Sequence, residues 1–459
     1  MKDSISIYEN FWMPAAVICL AGFLFNFIAV FPGLMSPDSF FMYNEGVEWK
    51  FSDYHHPFIG FLMGLGRFIR DDPSPYLFFQ LFLFWGGMYM FTLALRNQVG
   101  EWAIIGPFIG LLPFNLSLSG YLHKTPLLTA CFFFSCSWLF LSYTKNKKIG
   151  LIQIIILTPI LFLGSAVRGY SYPAALPILG FMVWMFIKKR SNTRYDIAWA
   201  TVFSFLLVIL FIGLNHILVY EVLNAKKTYK YQIIYTLDMA AINAMTGKAY
   251  ASEFLKEKFK DRTAVRKFYD EKMNTEIWKI HNIYKWSSDA EDVSKKKIEW
   301  LRAVSDNFYT YIEHRKKGIL KTFGITHKMD SAFKGFSAEN KNNIYNLVKY
   351  DTVFWTFFKI YVHSVKDDFF MRPWFWALLN IIFSAIGFLL ILIPRYRDLA
   401  IPHCVILWSG LLLLAPYILL CLSADNRFTY WITVATSFGG GGIATILIAR
   451  LRKVYKITE

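Results

Sequence analysis

The sequence predicts an all-α polytopic membrane protein with about ten transmembrane helices. Of its 459 residues, 55% are hydrophobic and 19% are aromatic, and the apolar residues are gathered into long uninterrupted runs. An apolar run of about 18 or more residues is long enough to cross a hydrocarbon core of about 30 Å as an α-helix. Short basic clusters separate these runs, as is typical of loops at a membrane surface.

Ten apolar segments are candidates for membrane spans. Seven reach the required length, and they lie at about 12–31, 75–95, 126–144, 197–220, 373–394, 401–422 and 428–449. Three more are shorter or interrupted by polar residues, and they lie near 102–119, 149–166 and 172–187. All ten together give an even number of crossings, which places both ends of the chain on the same side.

The basic residues indicate which side that is. The net charge is +17, and its short-loop clusters are Lys145 to Lys148, Lys188 to Arg194, Arg395 with Arg397, and Arg450 to Lys453. With ten spans these clusters share one side, so the positive-inside rule predicts that both termini are cytoplasmic. We therefore expect a multi-pass membrane protein that contacts lipid. Nucleic acid is excluded as a partner because no contiguous basic face is present.

The span positions divide the chain into three parts. Residues 1–220 form an N-terminal transmembrane module of about seven spans, and its first outer loop covers 32–74. Residues 221–371 form a large extracytoplasmic loop, long enough for a mainly helical domain. Residues 372–459 form a C-terminal transmembrane module of about three spans. Near the end of the large loop, the segment 351–362 is apolar but too short to span, which favours a position in the membrane interface.

Two compositional features have a structural interpretation. The five cysteines all lie in apolar segments, which predicts packing residues rather than a disulfide framework. The run "FGGGG" at 438–442 lies inside the last apolar stretch, with no strand before it and no Lys-Ser or Lys-Thr after it. That context favours close helix packing over a phosphate-binding loop.

With this topology, the unusual ionisable residues gather at the outer ends of the spans. Transporters more often carry such groups near the bilayer midplane, so the pattern favours a site at the outer surface. The residues are Asp38 after the first span, Asp53, His55 and His56 in the first outer loop, His123 and Lys124 before the span at 126–144, Arg168 before 172–187, and Arg427 before the last span.

A carboxylate beside cations at a membrane surface suits the transfer of a sugar from a lipid phosphate. Phosphate is a good leaving group, so one carboxylate is enough to take the proton from the acceptor hydroxyl. Arg and Lys neutralise the charge that develops on the departing phosphate, and the Arg fork fits its oxygens. On this hypothesis the first outer loop supplies the carboxylate, and Lys124, Arg168 and Arg427 supply the cations.

Each of these residues also has a purely structural interpretation. Asp38 lies in "SPDS", which is good helix-capping chemistry, and the lysine and arginines fit helix anchors that reach to the interface. The adjacent His55 and His56 fit an interfacial pair as well as they fit the site. Three acidic residues of the first outer loop are interpreted as solvated charges: Glu45, Glu48 and Asp53.

Short polar motifs in the outer loops resemble those of the GT-C glycosyltransferases, which use lipid-linked sugar donors. That superfamily carries an acidic residue in the first extracytoplasmic loop, where this chain has "PGLMSPDSF" and "FSDYHHP". The order of its other motifs in a bacterial branch is similar to that of "GYLHKTPLL", "VRGYSYP", "IYTLDMAAI", "NFYTYIEHRKKGI" and "ADNRFTYWI". Thr125 stands where that branch commonly has an acidic residue, so a second carboxylate is missing there.

The resemblance implies an integral membrane hexosyltransferase of the GT-C type in the bacterial inner membrane, with its active site on the outer face. Its donor would be a polyprenyl-phosphate sugar, and its acceptor a cell-envelope glycan such as O-antigen, lipopolysaccharide or another surface polysaccharide. The site residues it implies are Asp38 as the catalytic group, Lys124, Arg168 and Arg427 on the donor phosphate, and His55, His56, Asp53, His123, Asp238 and Tyr170 as further candidates.

No cofactor is predicted, and the need for a divalent cation stays open. Two other functions also remain open at this point. One is a polysaccharide polymerase or ligase that uses a polyprenyl-diphosphate oligosaccharide, and the other is a non-enzymatic transporter of lipid-linked glycans.

Overall fold

A computed structural model describes residues 11–187, 194–248, 287–326, 341–420 and 426–455, and the structural statements below refer to these ranges. Within them the chain is helical and contains isolated β-bridges but no strand. The predicted all-α class is therefore confirmed. The α-helices of the described ranges, in chain order, are α1 Trp12–Val30, α2 Pro37–Glu48, α3 Pro57–Gly66, α4 Ser74–Val99, α5 Gly106–Gly110, α6 Pro113–Ser119, α7 Lys124–Thr144, α8 Leu151–Ala166, α9 Tyr172–Ile187, α10 Arg194–Ile217, α11 Gln232–Thr246, α12 Ala290–Asp306, α13 Phe308–Thr322, α14 Val353–Ser364, α15 Pro373–Leu392, α16 Pro394–Leu420, α17 Tyr430–Ala435 and α18 Gly441–Tyr455.

Seven helical stretches of the described chain are long and apolar enough to cross a membrane, so the protein is a membrane protein. They are Trp12–Val30, Ser74–Gly110, Lys124–Thr144, Tyr195–Val222, Pro373–Leu392, Pro394–Ile418 and Arg427–Ile448. Two of the other predicted spans form the apolar helices α8 and α9, each of 16 residues.

The remaining predicted span, near 102–119, is not one continuous helix. The backbone at Gly100 has a φ of +67°, which is not helical and therefore ends α4. Glycine adopts this conformation readily, whereas residues with a side chain rarely do. A 3₁₀ turn at Gly100–Ile105 then leads into the short helices α5 and α6. Pro107 and Pro113 stand in the first turn of these two helices, where proline is tolerated, but proline cannot continue a preceding helix.

The helices hold polar groups at two opposite ends of the bundle. At one end, Asn97 of α4 donates to Thr144 of α7 at 3.1 Å, and Tyr143 donates to Asp398 of α16 at 3.0 Å. At the other end, Leu34 pairs through backbone bonds with the Gly120–Leu122 segment that precedes α7. The 21 residues of α7 separate these ends by about 30 Å, so the basic loop after α7 and the arginines in the first turn of α16 lie opposite Asp38.

Glycines allow α2 to lie directly on α3, and this contact positions the helix that carries Asp38. A Cβ atom added at Gly46 would clash with the carbonyl oxygen of Gly60 and would lie 2.9 Å from the nitrogen of Gly64. A Cβ atom at Gly64 would in turn lie 2.6 Å from the carbonyl oxygen of Gly46. The two backbones therefore touch, and no side chain larger than hydrogen fits between them.

The glycine run of the last helical stretch also serves close packing, as predicted. A Cβ atom at Gly439 would lie 3.0 Å from the carbonyl oxygen of His403, and one at Gly442 would overlap the His403 ring. Gly440 faces the ring of Phe383 in the same way. Four of the five cysteines are buried and unpaired, which fits their predicted packing role, and Cys421 lies outside the described residues.

Helix α14 corresponds to the apolar segment near the end of the large loop. Phe358 and Val362 are buried, whereas Val353, Phe357 and Ile360 are exposed. The buried side packs on α1, where Phe354 and Phe357 also make edge contacts with Phe25. An apolar outer face on a helix of this length is suited to the lipid interface.

Gly46→Ala is expected to lower the stability of the protein by about 1–3 kcal/mol, the usual cost of overpacking. The methyl group would force α2 away from α3, so the apparent unfolding temperature of the purified protein should fall. Gly213→Ala in α10 is the control, because a Cβ atom there meets no atom within 4 Å. An equal change in both variants would contradict the role assigned to the α2–α3 contact.

Candidate functional site

Asp38 stands in the first turn of α2, but it does not cap the helix. Ser36 is the N-cap: its hydroxyl accepts from the Ser39 N–H at 3.3 Å, and the Ser39 hydroxyl accepts from the Ser36 N–H at 3.1 Å. Pro37 occupies the first helical position, where its missing N–H costs nothing. The capping alternative for Asp38 is therefore wrong, and its carboxylate is available for another purpose.

Three groups from separate parts of the chain surround the Asp38 carboxylate. His55 Nε2 lies 3.8 Å from Oδ1, His123 Nε2 lies 3.5 Å from Oδ2, and Arg427 Nη1 lies 3.7 Å from Oδ2. None of these contacts is shorter than 3.5 Å. The side chain is 32% exposed, so both oxygens can still accept a proton from an incoming group.

The surroundings keep the Asp38 carboxyl ionised. Burial raises its pKa, but the close approach of His123 and His55 and the positive charge of Arg427 outweigh burial and hold the pKa well below its usual range. Burial lowers the pKa of His55 to about 3, with the charge of Lys124 acting in the same direction. Burial and the charge of Arg427 also lower the pKa of His123. At neutral pH the site therefore holds a carboxylate beside two uncharged imidazoles.

The adjacent histidines have different partners. Lys124 Nζ lies 3.0 Å from His55 Nδ1, and because an ammonium can only donate, this contact leaves the ring proton of His55 on Nε2, facing Asp38. His56 instead caps α3: its Nδ1 accepts from the Phe58 N–H at 3.4 Å, and its Nε2 donates to Asn215 of α10 at 2.9 Å. His55 thus belongs to the site, and His56 fixes the loop that carries it.

Arg168 combines burial with unused hydrogen-bond donors. The residue is 6% exposed, and its guanidinium stacks 4.5 Å over the ring of Phe428. Nη1 donates to the hydroxyl of Tyr170, while Nε and Nη2 are buried and have no partner in the described chain. A buried guanidinium with two unsatisfied donors is costly unless a ligand supplies acceptors. This geometry does not fit a helix anchor that reaches toward water.

Arg427 stands beside Phe428 and joins the two halves of the site. Its Nη1 donates to the hydroxyl of Tyr121 at 3.3 Å and lies near Asp38. Lys124 and Arg168 are close enough for their positive charges to repel each other. At one end of the bundle the structure therefore brings together the starts of α2 and α7, the end of α8 and the start of the last helical stretch, as the sequence positions predicted.

Asp53 lies next to the site, but its carboxylate is fully used. Its Oδ1 accepts from the Thr228 N–H at 2.7 Å and from the Thr228 hydroxyl at 2.6 Å, and its Oδ2 accepts from the Tyr220 hydroxyl at 2.8 Å. Asp53 is thus a link between the first outer loop and the segment after α10. The interpretation of Asp53 as a solvated charge is wrong, because neither oxygen is free.

Asp238 belongs to a second cluster in the large loop. It is fully buried, and its Oδ2 accepts from Trp300 Nε1 at 2.9 Å and from Arg315 Nη2 at 2.8 Å, with His314 Nε2 3.4 Å from Oδ1. These bonds join α11 to α12 and α13. Asp238 therefore contacts other helices of the large loop rather than the groups around Asp38.

Two charged residues near the site were not singled out from the sequence. Glu45 was interpreted as a solvated charge, but it is only 8% exposed and accepts from the Ser52 N–H at 2.8 Å and the Ser52 hydroxyl at 2.6 Å. Lys230 adds a positive charge that acts on His55, His56 and Lys124. The helical register that turns Glu45 inward beside Gly46 was a usable signal, whereas no sequence signal pointed to Lys230.

No protein family model, no curated protein and no solved structure matches the chain. The site is thus defined by its own geometry: an ionised carboxylate with free lone pairs, next to buried cations, at one end of a bundle of apolar helices. Among the described residues, no group of His, Cys, Asp or Glu side chains has the arrangement of a metal site.

Glu45 is expected to make stability depend on pH near neutrality. Burial raises its pKa from 4.5 to about 7, against the lowering effect of the Ser52 bonds and the Lys124 charge. The carboxyl's contribution to stability is therefore complete below 4.5 and is lost as pH rises through about 7. The loss amounts to about 3 kcal/mol at most, since each pKa unit corresponds to ~1.4 kcal/mol.

Glu45→Gln should remove this dependence, because the amide cannot ionise and still offers Ser52 an acceptor. Apparent unfolding temperatures measured from about pH 5 to about pH 8 should fall less in this variant than in the wild type. Glu48→Gln, at an exposed position of the same helix, serves as the control and should follow the wild-type curve. If Glu45→Gln follows it as well, Glu45 is not protonated in the folded protein.

Proposed function

We propose that this protein is an integral membrane glycosyltransferase that moves a sugar from a polyprenyl-phosphate donor to a cell-envelope glycan. The main support for the proposal is that one end of the bundle holds both an acidic and a basic side chain whose hydrogen-bonding capacity is not fully used. The Asp38 carboxylate is held ionised and its nearest basic neighbours lie 3.5–3.8 Å away, and the buried Arg168 guanidinium has two donors without partners in the described chain. Such a pair is complete only when a hydroxyl group and an anion are bound.

The reaction follows from the charges of these groups. The acceptor hydroxyl attacks the anomeric carbon, its proton passes to Asp38, and the bond between that carbon and the phosphate oxygen breaks. The electron pair of the broken bond remains on the phosphate, where Arg168, Lys124 and Arg427 would neutralise the developing charge. His55, held by Lys124, would keep its Nε2–H directed at Asp38 and so orient the base.

The membrane placement is part of the same proposal. The basic loop after α7 and the arginines in the first turn of α16 lie at the end opposite Asp38, so the positive-inside rule favours a cytoplasmic position for them. Asp38 would then face the outer side of a bacterial inner membrane, where the phosphate of a lipid donor sits at the interface. An O-antigen or a similar surface polysaccharide is an acceptor of the right location.

A second candidate is transfer from a polyprenyl-diphosphate donor, as in a polysaccharide polymerase or ligase. The observation that favours it is the excess of cations, because Lys230 joins Lys124, Arg168 and Arg427 in the described part of the chain. A phosphodiester carries one negative charge, whereas a diphosphate ester carries more. Tighter binding of farnesyl diphosphate than of farnesyl phosphate would support this candidate.

Asp38→Asn is expected to lower turnover by about 10²–10⁴-fold, the usual contribution of a general base. Donor binding should persist, because the change removes a negative charge beside Arg427. Mass analysis of envelope glycans in cells that lack the gene would test this: the wild-type chain should restore a fixed sugar increment, and Asp38→Asn should not. Asp71→Asn, at an exposed carboxylate of the same loop, should restore it fully.

Recovery of the increment with Asp38→Asn would exclude Asp38 as the base. The absence of any glycan change in cells without the gene would favour a transporter. A transporter needs no carboxylate chemistry, and it should tolerate the isosteric replacement of Asp38.

Arg168→Gln is expected to weaken binding of farnesyl phosphate by about 10-fold or more, because charged hydrogen bonds contribute about 1.5–3 kcal/mol each. Binding is measured on the full-length protein in nanodiscs, with farnesol as the uncharged probe. Arg302→Gln is the matched control, since Arg302 is exposed on α12. Unchanged farnesyl phosphate binding in Arg168→Gln would remove the main support for a phosphate site.

A further inference from the structure

The segment 225–230, between α10 and α11, is paired with the first outer loop. The Lys226 N–H donates to the carbonyl oxygen of Phe51 at 2.9 Å, and the Asp53 N–H donates to the carbonyl oxygen of Lys226 at 3.0 Å. These bonds form the parallel bridge between Ser52 and Lys226. The register between the segment and the loop is therefore fixed at this point.

The Asp53 carboxylate holds the same segment two residues further along. It accepts from both the N–H and the hydroxyl of Thr228, and the Tyr220 hydroxyl supports it from the end of α10. Tyr229 then adopts a left-handed backbone with a φ of +51°, which is unusual for a residue with a side chain. The chain bends sharply there, directly before Lys230.

Lys230 brings its positive charge to the candidate site. It lies close enough to His55, His56 and Lys124 for its charge to act on all three, and Arg168 acts on it in turn. The residue itself is exposed, and its ammonium forms no hydrogen bond or ion pair with any residue of the described ranges. The carboxylate of Asp53 also acts on Lys230, but the four cations Lys124, Arg168, Arg427 and Lys230 outnumber the carboxylates Asp38 and Asp53. Such an excess of positive charge favours the binding of an anion.

We propose that Lys230 is a binding residue for the phosphate of the lipid ligand, and that Asp53 positions it through Thr228. This inference rests on the proposed function, because it assigns a further contact to the same phosphate. The large loop then supplies part of a site that otherwise belongs to the membrane helices. Lys230 offers a flexible point charge to the phosphate, whereas Arg168 offers a fixed fork.

The test compares two lysines of the same segment in the full-length protein in nanodiscs. Lys230→Gln should weaken the binding of farnesyl phosphate about 10-fold. Lys226→Gln should leave it unchanged, because that side chain is exposed and only its backbone pairs with the loop. Farnesol, which has no charge, should bind all variants equally. Lys230→Arg keeps the charge and should bind farnesyl phosphate nearly as well as the wild type.

Asp53→Asn tests the positioning role. It should weaken farnesyl phosphate binding in the same direction, and combining it with Lys230→Gln should add little, because Asp53 acts through Lys230. Additive losses would assign Asp53 a separate structural role and contradict the positioning inference. This comparison is independent of the lysine pair, which tests the Lys230 contact even if Asp53→Asn does not fold.

The failure of this inference and the failure of the proposed function give different results. If Lys230→Gln binds farnesyl phosphate like the wild type while Arg168→Gln does not, the Lys230 contact is wrong and the phosphate site stands. If neither variant loses binding, the proposed function fails as well. An equal loss in Lys230→Gln and Lys226→Gln would indicate a general charge effect and would also overturn the specific contact.

Discussion

The end of the bundle that carries Asp38 depends on balancing positive charge that is shielded from water. Arg168 is buried and Lys124 is largely enclosed, yet the described chain offers them few anionic partners. Burying a cation without a partner costs several kcal/mol. Contacts with the apolar helices around the site do not offset this desolvation penalty. The arrangement is stable because Asp38 supplies one negative charge and aromatic rings supply their faces. The positive charge still exceeds the negative charge, and this excess favours the binding of an anionic ligand.

The hydrogen bonds of three aspartates distinguish structural carboxylates from a carboxylate that can act as a base. Asp53 accepts three short hydrogen bonds, and Asp238 is fully buried against Trp300 and Arg315. Both carboxylates bind neighbouring side chains, and neither can take a proton at a bonded oxygen without losing a partner. Asp38 has neighbours at 3.5–3.8 Å and remains partly exposed. A general base needs this combination of ionisation and vacant lone pairs, so geometry favours Asp38 where residue type alone did not.

The sequence predicted the helical class and the convergence of the site because both follow from helix length and helix ends. Apolar runs fix where α7 begins, and that places Lys124 at the same level as Asp38 and Arg427. The broken segment near 102–119 was missed because its overall apolarity hides the effect of Gly100, Pro107 and Pro113. Glu45 was missed because its burial depends on the backbone contact at Gly46 rather than on local composition. Lys230 lies far along the chain, and only the pairing of segment 225–230 with the first outer loop brings it near.

The first outer loop therefore couples the two parts of the site. Glu45 of α2 accepts both the N–H and the hydroxyl of Ser52, and Ser52 is the residue that pairs with Lys226. One continuous set of bonds thus runs from the helix that carries Asp38 to the segment that carries Lys230. If Asp38 is the base and Lys230 binds the phosphate, Asp38 acts on the hydroxyl that forms the new bond. Lys230 acts on the phosphate that leaves. A shift of α2 would then move both groups together, which preserves their spacing because the same loop holds them.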